Sequence, residues 1–115
     1  MDRIIYKIAP KALWDAAVAA GRFDGAPVDL ADGFIHFSTA SQVRETAAKH
    51  FAGQSDLLLV AIDAEGFGDA LKYEVSRGGA LFPHLYATLD PAAAIWVKRL
   101  PLGDDGAHVF PDLED

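Results

Sequence analysis

The hydrophobic and polar positions of this chain follow a strand-like period in some stretches and a helical period in others. Continuous apolar runs rich in β-branched and aromatic residues predict strands at residues 3–8, 34–38 and 57–62. The third run is the most continuous, and it is bounded by Asp56 and Asp63. It is therefore predicted to be the most buried strand.

Two stretches repeat their apolar residues at helical spacing. The first begins at Pro10, which suits the first turn of a helix, and it ends at Gly21. The second is predicted to begin with a capping box formed by Thr39 and Gln42, and to end at Gly53. Both stretches follow a predicted strand, so we expect two helices packed on a sheet.

Three further strands are predicted in the second half of the chain. Residues 71–75 alternate apolar and polar side chains, so this strand has one polar face. Residues 82–86 indicate an irregular strand that Pro83 confines to an edge or a bulge. Residues 95–100 form the last apolar run and predict the final strand.

The order of these elements is strand, helix, loop, strand and helix, followed by three or four strands. The loop covers residues 21–32, whose glycine, proline and aspartate residues are typical of turns. This order predicts one α+β domain over residues 1–115, in which two main helices pack on a mixed or antiparallel sheet. The acidic tail at residues 112–115 is expected to fray.

Length and composition narrow the class of protein further. A chain of 115 residues, 51% of them hydrophobic, fits one folded domain and leaves no room for a second core. No apolar run reaches the ~18 residues of a membrane span, and residues 1–3 lead into a strand rather than a signal peptide. These features predict a cytoplasmic protein without a membrane partner.

Charge and the absence of cysteine exclude several functions. The chain has 17 acidic and 10 basic residues and a net charge of −7, which repels nucleic-acid backbones. General nucleic-acid binding is therefore not expected, and a phosphate-bearing ligand has to be small and held by a local cluster of donors. Without cysteine there is no disulfide, thiolate nucleophile or cysteine-ligated zinc.

His36 is the first candidate for chemistry, because it interrupts an apolar strand just before Ser38 and Thr39. Burying an imidazole costs free energy unless its ring nitrogens find partners. His36 is therefore either a satisfied core histidine or one wall of a pocket. In the second case, the helix N-terminus that follows offers N–H groups to an anion or a ribose oxygen.

Two later segments carry further candidate residues. Ser76-Arg77-Gly78-Gly79 combines the donor fork of arginine with glycines that let a ligand approach the backbone, which suits a small phosphate. A plain turn with a solvated arginine explains the segment equally well. Phe82-Pro83-His84-Leu85-Tyr86 places a second histidine among aromatic residues, although an edge strand also explains its proline.

Metal and serine-triad chemistry have little support in the sequence. No two histidines are closely spaced, so a zinc site would require His36, His84 and His108 to meet through folding. No metal ligand is assigned, and a histidine–metal hydrolase is only a third alternative. A Ser-His-acid triad lacks the Gly-x-Ser-x-Gly sequence.

We expect the candidate residues to converge on one pocket, because they lie at the ends of predicted strands, where loops gather and sites form. His36 is expected to hydrogen-bond a ligand hydroxyl, and Arg77 to bind an anionic group. His84 is expected to orient the ligand or exchange a proton, and Tyr86 to stack or hydrogen-bond. The candidate catalytic residues are His36, Glu74 and His84, and the candidate ligand-binding residues are Ser38, Thr39, Arg77 and Tyr86.

Several motifs occur together along nearly the whole chain. They are Ile5-Tyr6-Lys7-Ile8, Asp32-Gly33-Phe34-Ile35-His36-Phe37-Ser38-Thr39 with Gln42, Tyr73-Glu74, Arg77-Gly78-Gly79, and Phe82-Pro83-His84-Leu85-Tyr86. This combination resembles the bacterial and plant family called "domain of unknown function 952". That family is grouped, through remote similarity, with the ADP-ribosyltransferase-like folds.

The resemblance implies an ADP-ribosyltransferase-like fold and a dinucleotide ligand similar to nicotinamide adenine dinucleotide (NAD). In those folds a strand-borne histidine helps to hold the ribose, and His36 matches it. The transferases usually place a catalytic glutamate on a late strand. Here the late strand at residues 95–100 has none, and the one well-placed glutamate is Glu74 in the middle of the chain.

Two functions therefore compete. The first is a transferase or hydrolase of a nucleotide-like substrate, which stabilises an oxocarbenium-like centre electrostatically. The second is a non-catalytic module that binds a small anionic metabolite in the same cleft. Turnover of a bound ligand distinguishes the two.

Overall fold

The computed structural model describes residues 3–115, except for the side chain of Arg77. Its strands are β1 (Ile4–Pro10), β2 (Ile35–His36), β3 (Ser38–Thr39), β4 (Leu57–Asp63), β5 (Leu71–Val75), β6 (Leu81–Leu85) and β7 (Ala94–Arg99). Its α-helices are α1 (Lys11–Ala20), α2 (Pro27–Asp32) and α3 (Val43–His50), and short 3₁₀ helices cover Ala64–Ala70, Arg77–Gly79 and Pro91–Ala93. Across the described residues, no helix combines the length and the apolar character that a membrane crossing requires.

The strands form two antiparallel sheets. The larger sheet has the order β3-β1-β4-β7, and the smaller sheet has the order β2-β6-β5. The predicted α+β domain with antiparallel pairing is therefore confirmed. The sequence pattern did not anticipate that the strands separate into two sheets, or that a short third helix, α2, lies beside the smaller one.

The two central strands of the larger sheet, β1 and β4, are buried on both faces. On one face, Val60 of β4 packs with Trp14 of α1 and with Leu85 of the smaller sheet. On the other face, Leu59 packs with Val43 of α3. Every residue of the apolar run within β4 is buried, which confirms the burial predicted for that strand. The smaller sheet and the larger sheet thus share one hydrophobic cluster.

Helix α2 lies inside residues 21–32, so the prediction of a loop over that whole segment is wrong. Pro27 occupies its first position, and Asp29 Oδ2 accepts a hydrogen bond from Ala26 N–H at 2.7 Å. Gly25 adopts a φ of 121°, and a Cβ there would lie 2.7 Å from Asp29 Cβ. The glycine, proline and aspartate that suggested turns therefore start a helix.

The predicted strand at residues 34–38 is divided between the two sheets. β2 pairs with β6 of the smaller sheet, whereas β3 pairs with β1 of the larger sheet. Phe37 lies between β2 and β3, and its N–H donates to the Pro83 carbonyl at 3.0 Å. The chain thus crosses from one sheet to the other directly after His36.

Helix α3 begins at Val43, later than the predicted start at Thr39. Thr39 ends β3, where its N–H donates to Gln42 Oε1 at 3.1 Å. Gln42 therefore makes its half of the predicted capping box. The Thr39 hydroxyl lies 3.1 Å from Ser41 Oγ and does not cap the helix.

Pro83 lies in the middle strand of the smaller sheet, so the predicted position at an edge or a bulge is wrong. In an antiparallel strand, the nitrogen and the carbonyl of one residue point to the same side. The Pro83 carbonyl bonds Phe37, so its nitrogen also faces that side, where β2 has already ended. The missing N–H therefore costs no hydrogen bond with β5.

The C-terminal tail, for which fraying is predicted at residues 112–115, contacts the larger sheet. The buried Tyr6 hydroxyl donates to the Glu114 carbonyl at 2.8 Å and accepts from the Glu114 N–H at 2.8 Å. Phe110 and Leu113 pack against the hydrophobic cluster on the same face. The tail thus covers the face that also carries α3.

Replacing Tyr6 with Phe is expected to lower the free energy of unfolding by about 1 kcal/mol, because both hydrogen bonds with Glu114 are lost while the ring remains. Urea denaturation measures this change. Deleting residues 114–115 removes the same contact, so both changes together are expected to cost less than the sum of their separate effects. Fully additive effects would contradict the role assigned to the hydroxyl.

Candidate functional site

One face of the smaller sheet carries most of the candidate site. His36 of β2 pairs with His84 of β6, and His84 pairs with Lys72 of β5. Directly opposed residues share a face, and Glu74 lies two positions after Lys72, so it shares that face too. We call this surface the histidine face, defined by these four residues. The opposite face packs into the core through Leu85 and its neighbours.

The ring of His36 lies between two carboxylates of α2. Its Nδ1 is 2.6 Å from Asp29 Oδ1, and its Nε2 is 2.9 Å from Asp32 Oδ2. The backbone N–H of His36 also donates to Asp29 Oδ1 at 3.1 Å. Asp29 is only 1% exposed, whereas Asp32 is exposed. Nδ1 therefore faces the protein interior, and Nε2 faces the surface.

Lys7 of β1 balances the charge of Asp29. Its Nζ donates to the two carboxylate oxygens of Asp29 at 3.0 and 2.8 Å, and to the His36 carbonyl at 3.0 Å. Lys7 is 5% exposed, so both members of the pair are buried. A buried charge without a partner costs several kcal/mol, and here each charge has one. One ion pair thus connects β1, α2 and β2.

These surroundings shift the pKa values of both groups. Burial raises the pKa of Asp29, but the hydrogen bonds from His36 and Lys7 and the charge of Lys7 outweigh burial and lower it to about 2. Burial lowers the pKa of Lys7, and the charge of Asp29 opposes that shift. At neutral pH Asp29 is therefore ionised, and its oxygens act only as hydrogen-bond acceptors.

His84 contacts a carboxylate of its own on the same face. Its Nδ1 is 2.9 Å from Glu74 Oε1, and this oxygen also accepts a hydrogen bond from the Tyr86 hydroxyl at 2.6 Å. Two hydrogen bonds lower the pKa of Glu74, and the bond from Tyr86 has a larger effect than the bond from His84. The bond with Glu74 in turn raises the pKa of Tyr86. Glu74 is thus a carboxylate at neutral pH.

Phe34 packs among the rings of this face. Its ring centroid lies 4.1 Å from that of His84, 4.6 Å from that of His36 and 5.2 Å from that of Tyr86. The two imidazole centroids are 5.5 Å apart. Phe34 stacks on His84, which is 5% exposed. The aromatic rings therefore form one group, bordered by the carboxylates of Asp32 and Glu74.

Four of the residues singled out from the sequence come together in this group: His36, Glu74, His84 and Tyr86. Ser38 and Thr39 are buried in β3, where Ser38 Oγ lies 2.9 Å from Thr46 Oγ1 of α3. The side chain of Arg77 lies outside the described residues. The roles of Ser38, Thr39 and Arg77 in a site therefore stay predictions.

Four residues of the site were not predicted from the sequence: Lys7, Asp29, Asp32 and Phe34. A signal existed for Lys7, because it is the one charged residue in the apolar run Ile4-Ile5-Tyr6-Lys7-Ile8. A buried lysine in a strand requires a buried acceptor. The acceptor lies in the segment interpreted as a loop, so the pairing with Asp29 was not apparent from the sequence.

The described residues give no support to a metal centre. Within residues 3–115, no three histidine, aspartate or glutamate side chains are placed to hold a metal ion together. His108, the third histidine of the metal alternative, has its Nε2 2.8 Å from the Gln54 carbonyl. This contact with a carbonyl oxygen accounts for the position of the His108 ring.

Two concavities lie away from the histidine face. One of about 500 Å³ is lined by residues that include Arg44 and Asp112, and one of about 200 Å³ by residues that include Lys11 and Arg99. Neither is lined by the two paired histidines. On the histidine face, the Phe34 ring packs against the rings of His36 and His84, and the pocket expected there stays a prediction.

Comparison with known proteins identifies a family and solved relatives. The model of the family described as "Protein of unknown function (DUF952)" matches residues 8–97. The X-ray crystal structure of protein CC0527 from Caulobacter crescentus is 54% identical and has a TM-score of 0.88, with 92% of this chain and 93% of that chain covered. The solution NMR structure of CC0527 from the same organism is 55% identical and has a TM-score of 0.83, with 90% of each chain covered. No curated protein matches this chain.

Replacing Asp29 with Asn is expected to lower the free energy of unfolding by about 3–5 kcal/mol, because it leaves the Lys7 ammonium buried without a counter-charge. The matched control is Asp63→Asn, since Asp63 pairs with the exposed Arg3 at 3.3 Å. That change is expected to cost less than about 1 kcal/mol. If urea denaturation shows a similar loss of free energy of unfolding for both variants, the importance of the buried pair is contradicted.

The low pKa of Asp29 predicts a loss of stability in acid. Its folded value of about 2 lies below its usual value of 3.8, so folding favours the ionised form. The resulting contribution of about 2 kcal/mol is fully present above about pH 4 and is lost as the pH falls through about 2. The stability difference between the wild type and Asp29→Asn is expected to shrink over this range. A difference independent of pH would contradict the shift.

Proposed function

Because this chain belongs to the DUF952 family, a family of unknown function, we propose a function from the chain's own residues. The histidine face binds a nucleotide-like ligand, and the protein acts on that ligand as a transferase or hydrolase. The observation that carries this proposal is the pairing of the His36 and His84 rings, 5.5 Å apart. Each ring has its Nδ1 within 2.9 Å of a carboxylate.

The two carboxylates beside the paired histidines favour the sugar of such a ligand over its phosphate, and Lys72 is an exposed cation on the same face. Asp32 and Glu74 keep 48% and 38% of their side-chain surfaces exposed, whereas Lys7 is buried against Asp29. Carboxylates accept hydrogen bonds from hydroxyls and stabilise positive charge, but they repel phosphate. The sugar hydroxyls and the reacting carbon therefore lie on this face.

The phosphate of the ligand is assigned to Arg77, which follows Glu74 by three positions in the same hairpin. An arginine presents a planar fork of donors that matches phosphate geometry. Ser38 and Thr39, which form β3 and are separated from His36 by Phe37, are further ligand-binding residues in this proposal. Tyr86 contributes its ring and its hydroxyl beside Glu74.

The chemistry takes place at the sugar carbon that carries the base. The bond from this carbon to the base breaks, and the bonding electron pair leaves with the base. Positive charge develops on the sugar, where the Glu74 carboxylate stabilises it electrostatically. A water molecule or an acceptor hydroxyl forms the new bond to the carbon and passes its proton to an imidazole nitrogen.

An ADP-ribosyltransferase-like fold belongs to the same proposal. It is supported by the strand-borne His36 and by the position of Glu74 Oε1, 2.9 Å from His84 Nδ1. Glu74 is not on a late strand, but folding brings its strand beside the strand of His84. A NAD-like dinucleotide is the ligand that this fold suggests.

A second candidate function is a non-catalytic binding module. It is favoured by the contacts of His36, whose two ring nitrogens both face carboxylates. It is also favoured by the Phe34 ring, which covers His84. In this alternative the same face binds the nucleotide-like ligand without reacting with it.

Thermal denaturation with and without NAD tests the proposal. At ten times its dissociation constant, a ligand adds about 1.4 kcal/mol of stability and raises the melting temperature by several degrees. We expect this rise in the wild type and in the control His108→Ala, because His108 lies outside the face. We expect it to be lost in His36→Ala. Release of nicotinamide distinguishes an enzyme from a binding module.

Two results would contradict the proposal. The first is that neither NAD nor any mononucleotide raises the melting temperature. The second is an equal rise in His36→Ala and His108→Ala, which would place the ligand away from the histidine face. Binding without nicotinamide release would favour the second candidate function.

A further inference from the structure

The environment of His36 determines which of its nitrogens carries the proton when the ring is neutral. Nδ1 lies 2.6 Å from Asp29 Oδ1, and Asp29 also accepts hydrogen bonds from the backbone N–H groups of Ala26 and His36. A carboxylate that is ionised only accepts hydrogen bonds. Nε2 also faces a carboxylate, that of Asp32, but Asp32 is exposed and Asp29 is buried. A hydrogen bond to a charged group is stronger where water is excluded, so the neutral ring carries its hydrogen on Nδ1.

Lys7 keeps Asp29 in the ionised state that this contact needs. Its Nζ lies within 3.0 Å of both carboxylate oxygens, and the side chains of both residues are buried. Protonating Asp29 would leave the Lys7 ammonium without its counter-charge in a buried position. Lys7 also bonds the His36 carbonyl at 3.0 Å, so the same group fixes the strand that carries the ring.

The other ring nitrogen has a different environment. Nε2 lies 2.9 Å from Oδ2 of Asp32, whose side chain is 48% exposed. A ligand or a water molecule reaches Nε2 from solvent by displacing this exposed carboxylate. In a neutral ring with its proton on Nδ1, Nε2 carries the free electron pair.

We propose that Lys7 and Asp29 are positioning residues that hold neutral His36 with its proton on Nδ1, so that Nε2 is the atom that accepts a proton from the reacting group. This inference rests on the proposed function for the identity of the reacting group. In the step, the O–H bond of the attacking water or hydroxyl breaks, and an N–H bond forms at Nε2. The resulting imidazolium is stabilised by Asp29 on one side and Asp32 on the other.

The chain supplies internal standards for this assignment. His108 has the opposite arrangement, because its Nε2 faces the Gln54 carbonyl at 2.8 Å. A carbonyl oxygen accepts hydrogen bonds, so neutral His108 carries its proton on Nε2. His84 is similar to His36, with Nδ1 2.9 Å from Glu74 Oε1. The expected proton positions of His36 and His108 are therefore opposite, and one spectrum reads both.

Ring nitrogen NMR of the unliganded, ¹⁵N-labelled protein tests the proposal at a pH where the rings are neutral. For His36 we expect at least about tenfold more of the tautomer protonated on Nδ1 than of the other, because the contact with the buried Asp29 outweighs the contact with the exposed Asp32. For His108 we expect the reverse. A proton on Nε2 of His36 would overturn the proposal, and no ligand is needed to obtain this result.

Variants distinguish the effect of the buried pair, Lys7 and Asp29, on the tautomer of His36 from the effect of Asp32. Asp32→Ala is expected to leave the proton on Nδ1, whereas Asp29→Ala is expected to remove the preference. Lys7→Arg is expected to preserve it, because the cation is kept. Loss of the preference in Asp32→Ala would overturn the proposal, because the buried pair is intact in that variant. If Asp29→Ala does not fold, the wild-type spectrum and Asp32→Ala still decide.

This test is independent of the test of function. Failure of NAD to bind leaves the tautomer of His36 measurable. A wrong tautomer, on the other hand, overturns the role of Lys7 and Asp29 without affecting whether NAD binds.

Discussion

The arrangement of the histidine face depends on the buried ion pair of Lys7 and Asp29. Lys7 belongs to the larger sheet, Asp29 to α2, and both contact His36 of the smaller sheet. Removing two charges from water is costly, and only close and well-oriented partners compensate for it. Because those partners come from three elements, the pair determines where α2 and β2 lie relative to β1. The position of the His36 ring follows from that constraint.

The second histidine depends on a different contact. His84 is fixed by pairing within the smaller sheet, by Glu74 and by stacking on Phe34. Glu74 is partly exposed, so this contact contributes less to stability than the buried pair does. The face therefore combines His36, which is partly exposed and contacts a buried carboxylate, with His84, which is buried and contacts a partly exposed carboxylate. His36 is the better placed of the two for the proposed proton exchange, because its Nδ1 contacts a buried carboxylate and its Nε2 an exposed one.

Strands were predictable where one short segment of the sequence contained all the features that favour a strand. The apolar run of β4 and the strand at β1 are examples, because β-branched residues and burial coincide there. Helix α2 was not predictable, because glycine, proline and aspartate usually favour turns. Here the contact of Asp29 with Lys7, which is distant in the sequence, stabilises a helix instead. His36 and His84 were candidates because each histidine lies in an apolar or aromatic segment. Their adjacency depends on the register between β2 and β6, which no local pattern contains.

A double-mutant cycle between Lys7 and Asp29 tests most directly whether this pair holds the face together. The variants are Lys7→Met, Asp29→Asn and the double substitution, and the readout is the free energy of unfolding in urea at neutral pH. We expect the double variant to be more stable than the sum of the single effects predicts, by about 1.5–3 kcal/mol, because neither charge is left buried alone. Additive effects, within about 0.5 kcal/mol, would contradict the account.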